Sequence, residues 1–234
     1  MARSYKKKSV RHRKAQTWRE KLLELSNTTW IVSVTGVVIV AYLAIMVESN
    51  AHSAASTATE NTCGVTTALG SLNTAKQPLA VGAKAPTIGT LSSTTCQTYS
   101  LEQYQGNSVV LLEFFATWCP NCQAETQVLN KIANLNSGKG VQVLSVLASV
   151  YGRNYEKGDT SLTSMDDVRV YADTFSLSYP ALYDPSMKAA NTYGLMGGYP
   201  TYYLINKQGN ITYVGSGQQS YEQLQSEITK ALAQ

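Results

Sequence analysis

The chain has 234 residues, of which 44% are hydrophobic and 15% charged, and this composition supports a domain with a well-filled core and excludes disorder throughout. Four cysteines form at most two disulfides, too few to stabilise a chain of this length, so hydrophobic burial must drive folding. The formal net charge is +4, and the two histidines, His12 and His52, exclude a histidine-rich metal site.

The N-terminal part combines a basic tail with an apolar segment. Residues 1–24 contain nine Lys or Arg and two Glu, so the net positive charge belongs to the tail. Residues 29–47 carry no charge, and a helix of that length spans roughly 28 Å, close to the thickness of a bilayer core. By the positive-inside rule, we predict a cytoplasmic tail over 1–28, a transmembrane helix over 29–47 and an extracytoplasmic remainder.

Two other interpretations of the apolar segment stay open, a cleaved signal peptide and a buried core helix. A signal peptide has an apolar region of about 7 to 15 residues, shorter than this one, although 51–53 and 53–55 offer small-residue cleavage patterns. A buried helix would not normally follow nine basic residues. We favour an uncleaved anchor in the cell membrane, whose basic tail sets the orientation and binds no nucleic acid.

The rest of the chain divides into a tether and a domain. Residues 48–77 are rich in Ala, Ser, Thr and Asn and cannot build a core, which predicts a tether ahead of a domain over 78–234. The predicted strands are Val109–Ala116, Val141–Ala148, Tyr179–Tyr183, Thr201–Ile205 and Ile211–Val214. The predicted helices are Pro120–Leu135, one beginning at Ser164 with Asp167 in a capping box, Ser186–Tyr193 and Ser220–Leu232.

The order of these elements predicts the fold class. Alternating strands and helices imply parallel crossovers, whereas Lys207–Asn210, between the last two strands, is a hairpin turn signal. We therefore predict an α/β fold with a central mixed sheet and helices on both faces. The polar segment Tyr151–Thr163 is either a surface loop or an insert near the active face.

The chemistry-bearing motif follows the first long strand, in the segment Trp118-Cys119-Pro120-Asn121-Cys122. Pro120 at the first helical position leaves Cys119 as the cap residue, and the positive end of the helix dipole favours its thiolate. Cys122 lies one turn later, and a non-helical cap residue lets the pair close into a disulfide. The pattern predicts a reversible dithiol in which an exposed Cys119 attacks and a deeper Cys122 resolves.

Three other uses of a Cys-x-x-Cys pair fit the sequence less well. A zinc site needs a second pair of ligands, and neither histidine lies in the predicted domain, so we expect no metal. Haem attachment requires histidine directly after the second cysteine, where this chain has Gln123. A static bridge fits the spacing, but the strand-to-helix junction favours redox use.

With three further motifs, this segment resembles the thioredoxin-like thiol:disulfide oxidoreductases of the TlpA, ResA and cytochrome c-maturation type. The further motifs are Val81–Pro86 as an opening hairpin, Ser100-Leu101 before the first central strand and Gly198–Thr201 before the final hairpin. The resemblance covers the chain from Pro78 onward. It implies a thioredoxin-like fold in which the Cys119–Cys122 disulfide is the redox group and no other cofactor is needed.

The resemblance also implies how a polypeptide substrate is held. In that family, the proline that matches Pro200 follows a cis peptide bond beside the cysteine pair. The residue before it, here Tyr199, offers backbone hydrogen bonds to the substrate. Trp118 and Pro120, which flank the first cysteine, complete the predicted substrate-binding set.

Two carboxylates are candidates for handling the proton of the resolving thiol. Glu113 lies six residues before Cys119 and matches the position of the buried Asp in thioredoxins. The ResA and cytochrome c-maturation types carry Asn at the matching position. Glu125 lies three residues after Cys122 and matches an acidic residue of the tethered types. Burying an ionisable carboxyl group inside an apolar strand costs free energy, which points to a function. We therefore predict that Glu113 and Glu125 are both catalytic. The alternative is that each is a surface carboxylate.

The remaining cysteines are Cys63 in the predicted tether and Cys96 in a predicted hairpin of the domain's opening segment. In an oxidising compartment they can pair. The bridge would close a loop of about 33 residues and stabilise the fold by roughly 3 to 4 kcal/mol in the chain-entropy model. We predict a structural disulfide, with a second redox pair or two free thiols as alternatives.

Together these observations predict a membrane-anchored, extracytoplasmic enzyme that reduces or exchanges disulfides of exported proteins. Its expected partners are protein disulfides or dithiols and a membrane electron donor or acceptor. A peroxiredoxin-type thiol peroxidase is one alternative, but that class carries Thr three residues before its cysteine, whereas Thr117 lies two before Cys119. The other alternative is an accessory subunit of a membrane complex, in which the pair is an inherited bridge.

Overall fold

A seven-stranded mixed sheet runs through the domain. The computed structural model describes Cys63 and residues 69–234. The strands are β1 (Leu91–Ser93), β2 (Thr98–Tyr99), β3 (Val109–Phe115), β4 (Val141–Leu147), β5 (Ala181–Tyr183), β6 (Thr201–Ile205) and β7 (Ile211–Ser216). The helices are α1 (Pro120–Asn136), α2 (Met165–Thr174), α3 (Lys188–Tyr193) and α4 (Tyr221–Leu232).

The central strand, β3, is covered on both faces. The strands follow the order β2-β1-β5-β4-β3-β6-β7, and β3, β4 and β5 run parallel while the remaining pairs are antiparallel. Val110, Leu112 and Phe114 pack on the α3 side, whereas Leu111 packs against α1 and α4. Burial on both faces explains why β3 is an apolar run interrupted only by Glu113. The predicted mixed sheet with helices on both faces is confirmed.

The predicted elements agree closely with the observed ones. All five predicted strands are present within two residues of their bounds, and Ser164 and Asp167 form the predicted capping box at the start of α2. The expected hairpin at 81–86 is wrong. Lys84 instead makes an isolated antiparallel bridge to Asn210, because this segment packs on the turn between β6 and β7. The edge hairpin is formed by β1 and β2.

The N-terminal segment 69–79 is packed onto α3. The Gly70 amide donates to the Pro185 carbonyl at 2.7 Å, and a Cβ on Gly70 would lie 2.0 Å from the Ser186 carbonyl oxygen. Only glycine allows this close approach. Asn191 on α3 donates through Nδ2 to the Ser71 carbonyl at 2.7 Å. Packed structure therefore extends to the N-terminal side of the predicted domain start at residue 78.

The predicted tail and anchor, and most of the predicted tether, lie outside the described residues. At Cys63 and over 69–234, the part that the structure describes, no helix has the length and apolar character needed to cross a bilayer. The transmembrane helix over 29–47 therefore stays a prediction.

Cys63 and Cys96 form a disulfide, with their Cα atoms 5.1 Å apart. Cys96 lies in the turn between β1 and β2, and its amide donates to the Ser93 carbonyl at 3.0 Å. Both cysteines have positive φ, 51° at Cys63 and 62° at Cys96. The bridge ties Cys63, which packs against the cluster that contains Cys119 and Cys122, to the edge hairpin.

Removing this disulfide should destabilise the domain. We expect Cys63→Ser/Cys96→Ser to lower the free energy of unfolding by about 3 to 4 kcal/mol, because the unfolded chain regains the freedom of a loop of 33 residues. Urea unfolding of the full chain without reductant, followed by fluorescence, measures the loss. Cys119 and Cys122 are unchanged in the variant, so the wild type and the variant differ only in the Cys63–Cys96 disulfide. A loss below about 1 kcal/mol would show that the bridge does not restrain the unfolded chain.

Candidate active site

The junction between β3 and α1 positions the cysteine pair. Cys119 is the N-cap of α1, with extended backbone angles of φ −73° and ψ 116°, and its Sγ accepts a hydrogen bond from the Cys122 amide at 3.3 Å. Pro120 occupies the first helical turn without the loss of a hydrogen bond, since a backbone N–H there has no partner within the helix. Both thiols are free in the structure.

Cys119 is an acidic thiol. Its pKa is lowered to about 7, chiefly by the hydrogen bond from the Cys122 thiol and further by the amides of Cys122 and Asn121, while burial opposes the shift. The predicted exposure of Cys119 is wrong, because only 5% of the residue is accessible. The cause is the loop before β6, where the Tyr199 carbonyl accepts a hydrogen bond from the Cys119 Sγ at 3.7 Å.

Cys122 differs from Cys119 in burial and acidity. It is completely inaccessible, and burial, followed by the hydrogen bond to the Cys119 sulfur, raises the pKa of its thiol. At neutral pH one sulfur is therefore partly thiolate while the other is held as thiol. This asymmetry suits a pair in which Cys119 attacks and Cys122 resolves.

Glu113 is buried beneath the cysteine pair. It lies on β3 opposite Ser145 of β4 and Tyr202 of β6, and only 1% of it is accessible. The Ser145 hydroxyl donates to Glu113 Oε2, while Oε1 has no hydrogen-bond partner among the described residues. Burial raises the pKa of Glu113 to about 8, the Ser145 bond opposes the shift, and the charges of Glu125 and Cys119 add to it. A carboxyl with this pKa can exchange a proton with a neighbouring thiol near neutral pH.

Glu125 lies on α1, one turn after Cys122. Its two carboxylate oxygens accept hydrogen bonds from the backbone N–H of Gln219, with N···O distances of 3.1 and 3.2 Å. Burial raises the pKa of Glu125 to about 7, and the hydrogen bond from the Gln219 backbone amide opposes this shift. Glu125 and Glu113 therefore both change charge near neutral pH, and neither is the surface carboxylate of the alternative interpretation.

The predicted substrate-binding residues surround Cys119. The Tyr199–Pro200 bond is cis, the isomer that the family resemblance implies. Trp118 packs edge-to-face on Tyr199 with ring centroids 5.7 Å apart, and its Nε1 donates to the Ser149 hydroxyl at 2.8 Å. Pro120 is exposed beside Cys119. The structure thus brings the predicted catalytic and substrate-binding residues to the end of β3 where α1 begins.

Comparison with known proteins decides the family. A family model described as Redoxin matches residues 80–232. The chain belongs to the redoxin family. The thiol-disulfide oxidoreductase ResA of Geobacillus thermodenitrificans is 29% identical to this redoxin over 155 residues, which cover 66% of this chain and 80% of ResA. The thioredoxin-like protein YneN of Bacillus subtilis is 30% identical over 147 residues, which cover 63% of this chain and 78% of YneN.

A solved structure supports the same assignment. The crystal structure of a candidate thiol:disulfide interchange protein DsbE from Chlorobium tepidum superimposes with a TM-score of 0.56 and is 26% identical. The match covers 66% of this redoxin and 99% of that chain. The redoxin is therefore a thiol-disulfide oxidoreductase with a thioredoxin-like fold, and its resemblance to the ResA and TlpA type is confirmed.

Three polar residues of the redoxin site were not predicted from the sequence. Ser145, Tyr179 and Tyr202 face the region of Glu113, and both tyrosine hydroxyls are buried with no hydrogen-bond partner among the described residues. Ser145 was recognisable in the sequence, because it is a lone serine in the apolar run of β4. No grouping of His, Cys, Asp and Glu in the described part of the chain could hold a metal ion.

Proposed function

We propose that this redoxin is a membrane-anchored, extracytoplasmic enzyme that reduces or exchanges disulfides of exported proteins through Cys119 and Cys122. The observation that carries the proposal is the unequal pair at the start of α1. The Cys119 sulfur has a pKa lowered to about 7, and the Cys122 sulfur is fully buried with a raised pKa. Thiol–disulfide exchange needs one thiolate that attacks and one thiol that is held back until an intermediate exists.

The reduction proceeds in two exchange steps. The Cys119 thiolate attacks one sulfur of the substrate disulfide, a mixed disulfide forms, and the other substrate sulfur leaves as a thiolate that takes up a proton. Cys122 then loses its proton, for which Glu113 is the buried acceptor, and attacks the Cys119 sulfur. The second substrate sulfur leaves as a thiolate that takes up a proton, and the enzyme carries the Cys119–Cys122 disulfide. A membrane electron donor then returns two electrons to the Cys119–Cys122 disulfide. In the reverse direction, oxidation of a substrate dithiol, a membrane acceptor takes them.

The proposed location rests on the N-terminal sequence. Nine basic residues precede the uncharged span 29–47, an arrangement typical of an anchor with a cytoplasmic N-terminus. A disulfide between Cys63 and Cys96 is also typical of an oxidising compartment. Protease added to right-side-out membrane vesicles should remove the domain, whereas protection there and digestion in inside-out vesicles would place it in the cytoplasm.

The activity is tested with the full chain in detergent. We expect dithiothreitol-driven reduction of insulin disulfides to be at least tenfold faster with the protein than without it, and faster than its consumption of hydrogen peroxide. Faster peroxide turnover would assign a thiol peroxidase instead. Purification from the native membrane in a fixed ratio with a partner, with a pair that stays oxidised, would assign an accessory subunit.

A further inference from the structure

The segment Tyr151–Thr163 is an ordered insert beside the active site. Tyr151 and Leu162 form an antiparallel bridge, and the Gly152 amide donates to the Ser161 carbonyl at 3.0 Å. Arg153 pairs with Asp167 of α2 at 3.1 Å. The insert is therefore held at its base by its own hydrogen bonds and by α2.

The insert adds aromatic rings to those next to Cys119. Tyr151 and Tyr155 are stacked, with centroids 4.4 Å apart and an interplanar angle of 6°. The Tyr155 ring contacts Trp118 with centroids 4.9 Å apart, and Trp118 contacts Tyr199. A continuous row of four rings thus runs from the insert to the two residues that flank the Cys119 sulfur.

This row forms one side of an open groove with a volume of about 580 Å³. The segment 69–74 lines it as well, and that segment is held by the bond of Gly70 to Pro185, just before α3, and by Asn191 on α3. The lining is mainly apolar and includes Leu69, Leu72, Val150, Leu162, Trp118 and Tyr199. Leu162 is 61% accessible, a large apolar side chain presented to solvent. Grooves of this volume hold a few side chains of a ligand.

We propose that this groove selects substrates by binding a large apolar side chain, aromatic or branched aliphatic, adjacent to the reacting cysteine of a polypeptide. The inference rests on the proposed function. A disulfide sulfur that reaches Cys119 brings its own chain with it, and Trp118, the residue directly before Cys119, lines the groove. A flanking substrate residue can therefore enter the groove while the sulfur reacts. Burying the rings and leucines of the lining against an apolar side chain stabilises the complex, whereas a polar side chain provides no such stabilisation.

The test uses two peptides, each closed by one disulfide, that differ only in the residue before one cysteine, Phe or Ser. The pre-reduced full chain reacts with each in a single turnover, and alkylation followed by mass spectrometry gives the second-order rate constants. We expect the Phe peptide to react about tenfold faster, since an apolar pocket typically discriminates by that factor or more. In Leu162→Asn and Tyr155→Ala the ratio should fall towards one.

Leu135→Asn is the matched control, because Leu135 is an exposed leucine, 48% accessible, on α1 outside the groove. It should keep the wild-type ratio. Equal rates for both peptides, with hydroxyethyl disulfide still reduced, would overturn the groove proposal and leave the proposed function intact. No reduction of any disulfide would overturn the proposed function itself. A dimer of the wild type that Leu162→Asn dissociates would assign the groove to a second copy and also overturn the proposal.

Discussion

The stability of Glu113→Gln relative to the wild type is expected to rise by about 5 kcal/mol between acid and alkaline pH. The carboxyl is fully enclosed in the sheet, and burial is the main cause that raises its pKa to about 8 from an ordinary value of 4.5. Ionising it in the folded state therefore costs free energy that the unfolded chain does not pay. Glutamine is nearly the same size, accepts the Ser145 hydroxyl and carries no charge.

The sign of the pH dependence follows from this raised pKa. Below pH 4.5 Glu113 is protonated in both states, and its titration has no effect on stability. Between 4.5 and about 8 the unfolded chain loses the proton first, so the free energy of unfolding of the wild type falls as the pH rises. Above about 8 both states are ionised and the loss is complete.

Urea unfolding of the full chain at several pH values measures this difference. The stability of Glu113→Gln minus that of the wild type should grow from about pH 5 and level off near pH 8. Glu222→Gln, at an exposed position on α4, controls for the loss of one carboxylate. A difference that is constant across this range would show that Glu113 ionises in the folded protein as easily as in water.

The fold could be predicted because its strands are long, apolar runs. β3 and β4 are each seven residues of mainly apolar side chains, and the Lys207–Asn210 turn fixes the last hairpin. The hairpin of β1 and β2 has three and two residues, too few to show a periodicity. The opening motif was assigned to the wrong pairing because Lys84 bonds to a loop far away in the sequence.

The candidate site was predictable where its residues are neighbours in the sequence. The cysteine pair, Trp118 and Pro120 form one motif, and the acid inside β3 is conspicuous by its charge. Its contact with Ser145 depends on the register between β3 and β4, which a single sequence does not reveal. The low exposure of Cys119 likewise depends on how the Tyr199 loop, eighty residues away, folds over the start of α1.

Replacing Cys119 by serine is expected to abolish insulin reduction, with a loss of roughly a thousandfold or more, because a hydroxyl cannot act as the attacking thiolate. Cys122→Ala should also stop turnover but for a different reason. The Cys119 thiolate still attacks, yet no second thiol resolves the mixed disulfide, so the substrate stays covalently attached. The two variants are equally inactive and differ in what accumulates.

Non-reducing electrophoresis followed by mass spectrometry separates the two outcomes. Cys122→Ala should accumulate an adduct with reduced or partly reduced insulin chains that dithiothreitol releases, and Cys119→Ser should accumulate none. Cys63→Ser/Cys96→Ser added to Cys122→Ala controls for the other bridge and should trap the same adduct. An adduct on Cys122 in the Cys119→Ser protein would reverse the assigned order of attack.

The acidity of Cys119 provides an independent check of this order. The hydrogen bond from the Cys122 thiol is the largest cause that lowers the pKa of Cys119 to about 7. Removing that thiol in Cys122→Ala should raise the pKa, so the pH midpoint for alkylation of Cys119 moves upward and trapping becomes slower at neutral pH. The amides at the start of α1 still favour the thiolate in this variant. A midpoint that does not move would show that the helix start, rather than the neighbouring thiol, makes Cys119 acidic.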